Sequence, residues 1–148
     1  MTGSPNCYYF PDVNFWLALS YEAHKHHIIV RRWFQSLDAS ARVYFCRVTQ
    51  VGLLRLLTTA AVMGDDEALT QPEAWIAYDK LAEDVRIRFL PEPEVIDPEF
   101  RDASQLPQPA CKAWSDQYLI AFARSAGLRL ITLDKSMAKK STNVELLH

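Results

Sequence analysis

The chain has 148 residues, 49% of them hydrophobic and 23% charged, with 16 Lys+Arg against 18 Asp+Glu for a formal net charge of -2. That length suits one domain with a core of its own, residues 1–148, and the composition excludes a disordered or low-complexity chain. It also excludes binding to nucleic acid through bulk basic charge, so an RNA partner would have to be drawn by a local basic patch or a bound cation.

No apolar run approaches the roughly 18 residues of a membrane span, and residues 1–6 read as a polar tail without the basic-then-apolar pattern of an export signal. Cys7, Cys46 and Cys111 are odd in number and far apart, which leaves no thiol pair for zinc or redox chemistry. Cys7 and Cys46 lie in apolar runs and read as core. This usage fits a reducing cytoplasm, and no membrane partner is expected.

In chain order, Cys7–Phe10 reads as a buried strand stopped by Pro11 and Asp12. Asn14–Tyr21 carries a helical apolar stripe, and His26–Leu37 a second one of period near 3.6. Arg42–Cys46 is the second strand. Thr49 opens a helix through Leu57 that is apolar almost all round and is therefore expected to be buried. After the Gly64-Asp65-Asp66 break comes a helix over Gln71–Asp84, with Pro72 tolerated in its first turn. Val85–Leu90 alternates and predicts a strand near an edge. The proline- and acid-rich stretch from Pro91 to Pro109 holds one short helix around Pro98–Ser104. Trp114–Ala126 is the clearest helix, closed by Gly127; Leu128–Leu133 is a strand ending at Asp134, and Val144–Leu147 a last short one. Four or five strands alternating with helices predict an α/β domain with a parallel sheet.

In such a sheet, ligands bind at the carboxyl ends of the strands. Asp12 and Asp134 follow two strands, and Asp116 lies in the first turn of a helix whose start faces the same edge. Taken singly, each has an ordinary reading: Asp116 as a complement to the helix dipole, Asp12 and Asp134 as turn residues. Together they gather three carboxylates that repel one another unless a cation sits among them. Hard oxygen ligands suit Mg²⁺ or Mn²⁺, and such an ion can supply a hydroxide nucleophile and offset charge on a phosphodiester.

Four segments carry a family resemblance. The stretch Phe10-Pro11-Asp12-Val13-Asn14-Phe15-Trp16-Leu17 resembles the opening strand and Asp-x-Asn motif of PIN-domain ribonucleases. Thr49-Gln50-Val51-Gly52-Leu53-Leu54-Arg55-Leu56-Leu57-Thr58 is similar to the second motif of one subgroup of VapC toxins. Trp114-Ser115-Asp116-Gln117-Tyr118-Leu119 looks like the third motif, and Leu130-Ile131-Thr132-Leu133-Asp134 like the fourth. The resemblance implies a PIN-like three-layer α/β domain, with a central parallel sheet of order 3-2-1-4-5 flanked by helices. It implies a metal-dependent endoribonuclease, the toxin of a type II toxin–antitoxin pair, with Asp12, Asp116 and Asp134 catalytic and metal-binding. Dimerisation and neutralisation by a cognate antitoxin, one segment of it laid across the acidic crevice, are implied too. One departure stands out: where the family's second motif usually has a glutamate, this chain has Gln50, and no acid lies between Val43 and Met63. A catalytically silent PIN module that only binds RNA or a protein is therefore the alternative.

Asn14, Gln50 and Ser115 are the expected supporting residues, polar groups that can orient an aspartate or a water. Lys135, Lys139 and Lys140 follow Asp134 and would position phosphate, with Arg31, Arg32 and Arg124 as a possible extension of the basic rim. The His24-Lys25-His26-His27 run has no acid or cysteine to complete a metal site and reads as a bridge between two helices. Arg55, inside a helix expected to be buried, should need a carboxylate partner. Trp16, Trp33 and Trp75 read as core. A phosphotransfer receiver domain fits poorly, because Asp12 has no acidic neighbour and Cys46-Arg47 ends the middle strand.

Overall fold

Five short strands form one fully parallel sheet in the order β3-β2-β1-β4-β5: β1 (Tyr8–Pro11), β2 (Arg42–Phe45), β3 (Ile87–Phe89), β4 (Arg129–Thr132) and β5 (Val144–Leu146). The computed structural model describes residues 7–148, and the tail expected over 1–6 lies outside the described residues. The strand order and the parallel pairing agree with what the resemblance implied. Pro11 extends β1, opposite Ile131, and the backbone N–H of Asp12 still donates to the Ile131 carbonyl at 2.9 Å.

Eight helices surround the sheet among the described residues: α1 (Val13–Ser20), α2 (His27–Gln35), α3 (Arg47–Leu57), α4 (Ala60–Met63), α5 (Gln71–Ala82), α6 (Ile96–Ala103), α7 (Trp114–Ala126) and α8 (Lys135–Ala138). Strand side chains alternate between faces, and each face has its own core. On one, α1, α2, α3 and α5 bury Phe15, Trp16, Phe34, Leu53 and Leu57 against Val43, Phe45 and Ile131. On the other, α6 and α7 bury Ile96, Leu119, Ile120 and Phe122 against Phe10 and Leu130. Stacked rings sit at each centre: Trp16 on Phe45 at 3.8 Å and Phe10 on Phe122 at 4.6 Å. No helix among the described residues is long and apolar enough to cross a membrane.

Local signals explain most boundaries. Thr70 and Glu73 form a reciprocal capping box at the start of α5. Gly127 takes the left-handed conformation that ends α7, at φ 69°. The strand expected over Val85–Leu90 is shorter. Asp84 and Arg86 close a turn through paired hydrogen bonds, and the Arg86 guanidinium also donates to the Phe34 and Leu37 carbonyls, so pairing starts only at Ile87.

Three burial expectations are corrected. α3 is buried along one face only: Thr49, Gln50, Leu53 and Leu57 are inside, while Val48, Val51 and Arg55 are exposed. Arg55 consequently reaches water and has no ion-pair partner among the described residues. Trp75 is also exposed, because α5 is apolar at every position from Ala74 to Tyr78 and the sheet takes only Ala74 and Tyr78. Cys7 is half-buried, whereas Cys46 is in the core.

Candidate active site at the carboxyl edge of the sheet

β1 and β4 are neighbours although far apart in sequence, so the strand order reverses between them and their carboxyl ends open on a shared crevice. Asp12 follows β1 and is the N-cap of α1: its Oδ1 accepts from the Phe15 N–H at 3.2 Å. Its Oδ2 accepts from the Thr132 hydroxyl at 2.5 Å. Thr132 ends β4 with no exposed surface, and its oxygen also accepts from the Asp134 backbone N–H at 3.0 Å. One buried hydroxyl thus ties the ends of the two strands together. Asp134 in turn caps α8, accepting from the N–H and the hydroxyl of Ser136, each at 2.8 Å.

Asp116 lies in the first turn of α7 but makes no capping bond; the N-cap is Ala113. Its Oδ2 faces the Lys140 ammonium at 3.4 Å. Burial, partly offset by the Thr132 and Phe15 hydrogen bonds, lifts the Asp12 carboxyl from the usual range to about 6, and the charges of Asp116 and Asp134 push the same way. Asp134 is held below the usual range, first by the Ser136 hydroxyl and further by other Ser136 and Met137 contacts and the Lys140 charge. The three aspartates therefore share one electrostatic neighbourhood, with Lys140 as the cation within it.

Gln50 is buried at 6% exposure in the first turns of α3. Its amide oxygen accepts from Arg47 Nη1 at 2.5 Å, and the Arg47 guanidinium lies over the Phe89 ring, 4.6 Å from its centroid. Burial raises the pKa of the Tyr78 phenol, opposed by a hydrogen bond with Gln50 and by the Arg47 charge. The position is thus an amide held by a cation. Asn14, two residues after Asp12, and Ser115, next to Asp116, are exposed, and neither bonds to Asp12 or Asp116. Lys135 and Lys139 are exposed at the two ends of α8.

Of the wider basic rim, Arg124 reaches Asp102 at 3.8 Å and the Ser141 hydroxyl at 3.0 Å. Arg31 instead lines a groove between α2 and α5. His24 and His26 lie in the turn between α1 and α2, and His27 Nδ1 is bonded to the Ala18 carbonyl at 2.7 Å. Among the described residues, no three His, Cys, Asp or Glu side chains form a ready cage for a cation. In the acidic crevice the reason is local: each carboxylate is turned to a partner of its own. The donor set of hard oxygens, carrying mutual repulsion, nevertheless fits a divalent cation that competes with those partners.

Sequence reasoning missed Thr132 and Arg47. Thr132 could have been flagged as the hydroxyl two residues before Asp134, directly after the apolar Leu130-Ile131 pair of the strand. Arg47 had no comparable signal, because its partners come from α3 and β3.

The family model that matches, over residues 9–143, is that of the PIN domain. Ribonuclease VapC41 of Mycobacterium tuberculosis is 40% identical over 131 residues, covering 86% of this chain and 90% of the relative. Ribonuclease VapC38 of the same organism is 28% identical over 148 residues, covering 92% and 95%. The fold is shared with the crystal structure of M. tuberculosis VapC20, a sarcin-ricin loop cleaving toxin, at TM-score 0.62 and 16% identity over 88% of this chain and 93% of that one. FitAcB from Neisseria gonorrhoeae superposes at TM-score 0.61 with 18% identity, over 95% and 96%. The chain belongs to the PIN-domain family and, within it, to the VapC ribonucleases, the toxins of toxin–antitoxin systems.

Proposed function

We propose that this ribonuclease is an endonuclease in which Asp12, Asp116 and Asp134 hold Mg²⁺ or Mn²⁺ against an RNA phosphodiester, and that a cognate antitoxin silences it by covering the crevice. One arrangement carries the reading. The Thr132 hydroxyl donates to the Asp12 carboxylate and accepts from the Asp134 backbone N–H, so the two strand ends are tied together, while the charges of Asp134 and of Asp116 on α7 both act on Asp12. Such a grouping weakens the folded chain and is explained by what it binds.

A divalent cation held there would offset the negative charge that builds on the phosphodiester oxygens during cleavage. The protein's own groups set the geometry. Thr132 and the Phe15 N–H fix both oxygens of Asp12, so that carboxylate cannot swing away. Lys140 neutralises Asp116 in the absence of RNA and has a phosphate to turn to when RNA arrives. Lys135 and Lys139, exposed beside Asp134, position neighbouring phosphates. Asn14 and Ser115 are supporting donors next to Asp12 and Asp116. Gln50 acts through Arg47, lowering the negative charge on the β2 side of the crevice.

The partners are RNA, the antitoxin and a second copy of the chain in a homodimer, all met in the cytoplasm. An Arg-bearing segment of the antitoxin would satisfy the same three carboxylates that the cation does.

Calorimetric titration with Mn²⁺ tests the site without knowing the RNA target. The protein should bind saturably, and Asp116→Asn should weaken binding about tenfold, roughly 1.4 kcal/mol. Equal binding by both proteins would sink the three-aspartate site and leave a module whose chemistry lies elsewhere.

A further inference from the structure

Beside Asp116, between α6 and α7, a cavity of about 200 Å³ is lined by Ala103, Leu106, Gln117, Ile120, Arg124 and Lys140. Gln117 follows Asp116 directly in sequence and is only 7% exposed. Its backbone N–H is paired with the Ala113 carbonyl at 3.0 Å, but its side-chain amide has no hydrogen-bond partner among the described residues. The amide atoms are not among the sealed polar atoms that lack a partner, so the side chain is open to the cavity, where a polar ligand group can meet it. The same small cavity carries two cations. Arg124 is braced by Ser141 and Asp102, and Lys140 spans from the cavity to Asp116. An amide not bonded to another side chain, apolar walls and two cations, one residue from a carboxylate of the crevice, make a set that matches a nucleotide: a base edge, a base face and a phosphate.

We infer that this cavity is a subsite for one unpaired nucleotide flanking the bond that is cut, an assignment that rests on the ribonuclease reading above. Gln117 meets the edge of the base with one donor and one acceptor, as side-chain amides do when they read a base bidentately. Ile120 and Leu106 supply apolar contact for the ring, and Arg124 and Lys140 take the attached phosphate. Proteins that read RNA sequence do so mostly on splayed, single-stranded bases, and a cavity of this size admits one. Gln117 is therefore a specificity-determining residue, and Lys140 links the subsite to the crevice through Asp116.

The test uses isotope-labelled protein free of divalent ions, titrated with the four nucleoside 5′-monophosphates and followed by NMR. Saturable shifts should appear at the Gln117 side-chain amide and at the Ala103 and Ile120 backbone. Affinity should differ by about fivefold or more between the best and worst base, the discrimination expected of one bidentate contact. Gln117→Leu should flatten that preference to less than about twofold, and Gln117→Glu should change its order. Arg124→Gln should weaken all four nucleotides alike.

Absence of shifts at these residues, or an unchanged preference in a folded Gln117→Leu or Gln117→Glu protein, overturns the subsite. Cleavage of a mixed single-stranded RNA pool with Mn²⁺ separates this from the function itself. A protein that binds the nucleotides as described but cuts no RNA keeps the subsite and loses the nuclease mechanism. One that cuts RNA with the same base preference after Gln117→Leu loses the subsite alone.

Discussion

The two halves of the sheet's carboxyl edge are built on opposite electrostatic terms. Where β1 and β4 end, one buried hydroxyl holds the Asp12 carboxylate and the Asp134 backbone N–H with Asp116 nearby, and burial forces the Asp12 carboxyl up to about 6. Where β2 ends, the charge is a cation: Arg47, exposed at the start of α3, donates to Gln50 and covers the Phe89 ring of β3. The first half carries a buried carboxylate pushed toward protonation; the second holds its buried amide against a cation. The difference teaches where to look for chemistry. A functional edge is the one whose polar groups are under-compensated, whereas the compensated edge serves as its support.

The largest effect should follow from removing a carboxylate of the strained half. Asp12→Asn should reduce RNA cleavage by at least about a hundredfold, the scale seen when a preorganised electrostatic group is lost. The same substitution should not lower the stability of the metal-free protein at neutral pH, because it deletes a buried charge while leaving an amide able to bond Thr132. Cleavage assays beside denaturant unfolding check both halves of that statement; a loss of stability equal to that of an ordinary core mutant would show that Asp12 serves the fold and break the comparison.

A second effect of the same carboxyl should appear in the pH dependence of metal-free stability. The folded Asp12 carboxyl binds its proton more tightly than the unfolded one, so between about pH 4 and about pH 6 the folded state holds the extra proton. Stability from this group is therefore greatest near the acid end of that window and falls as pH rises through it. A shift to about 6 corresponds to about 3 kcal/mol. Unfolding curves across that range should show the decline, and Asp12→Asn should abolish it. Asp84 runs the other way, its carboxyl depressed chiefly by the Arg86 hydrogen bond, so its contribution is lost only in more acidic solution.

The unequal legibility of the two halves has a physical origin. Asp12, Asp116 and Asp134 could be read from the sequence because each follows or opens a strongly periodic apolar segment, and strand ends and helix starts share one edge in a parallel sheet. The helix over Trp114–Ala126 was legible for the same reason, with Gly127 marking the stop, whereas the strand order came from the family resemblance and not from periodicity. Arg47 was not, because a helix-start arginine three residues before an amide reads as surface, and only the tertiary fold brings the Phe89 ring of β3 beneath it. Gln117 sits in an amphipathic helix where an amide reads as surface, and its burial depends on α6 covering it. Arg55 and Trp75 went the opposite way. Their helices are apolar on several faces, and periodicity alone cannot say which face the sheet will take.

The seam between the two halves is Gly52 of α3, where an added Cβ would come within 2.6 Å of Val13 Cγ2. Val13 follows Asp12 and its branched side chain has few rotamers to retreat into. Gly52→Ala should destabilise the protein by about 1–3 kcal/mol, with Val13→Ala in the same chain recovering part of the loss. A thermodynamic cycle over the four proteins measures the coupling; additive effects would mean that the halves are not in contact through this pair.

The smallest expected effect bears most directly on why the β2 half carries an amide. Gln50→Glu adds a fourth carboxylate where family members commonly have one, yet the Arg47 guanidinium is already on that side-chain oxygen. The new charge should form a charge-assisted pair with Arg47, its desolvation cost offset by that partner. Mn²⁺ affinity should then change by less than about threefold, under about 0.7 kcal/mol. In an Arg47→Ala background the same substitution leaves the carboxylate without its cation, and affinity should rise by about tenfold or more. Calorimetry on the single and double variants decides the matter. A tenfold gain from Gln50→Glu alone would mean that Arg47 does not hold this position, and that the β2 half belongs to the cation site after all.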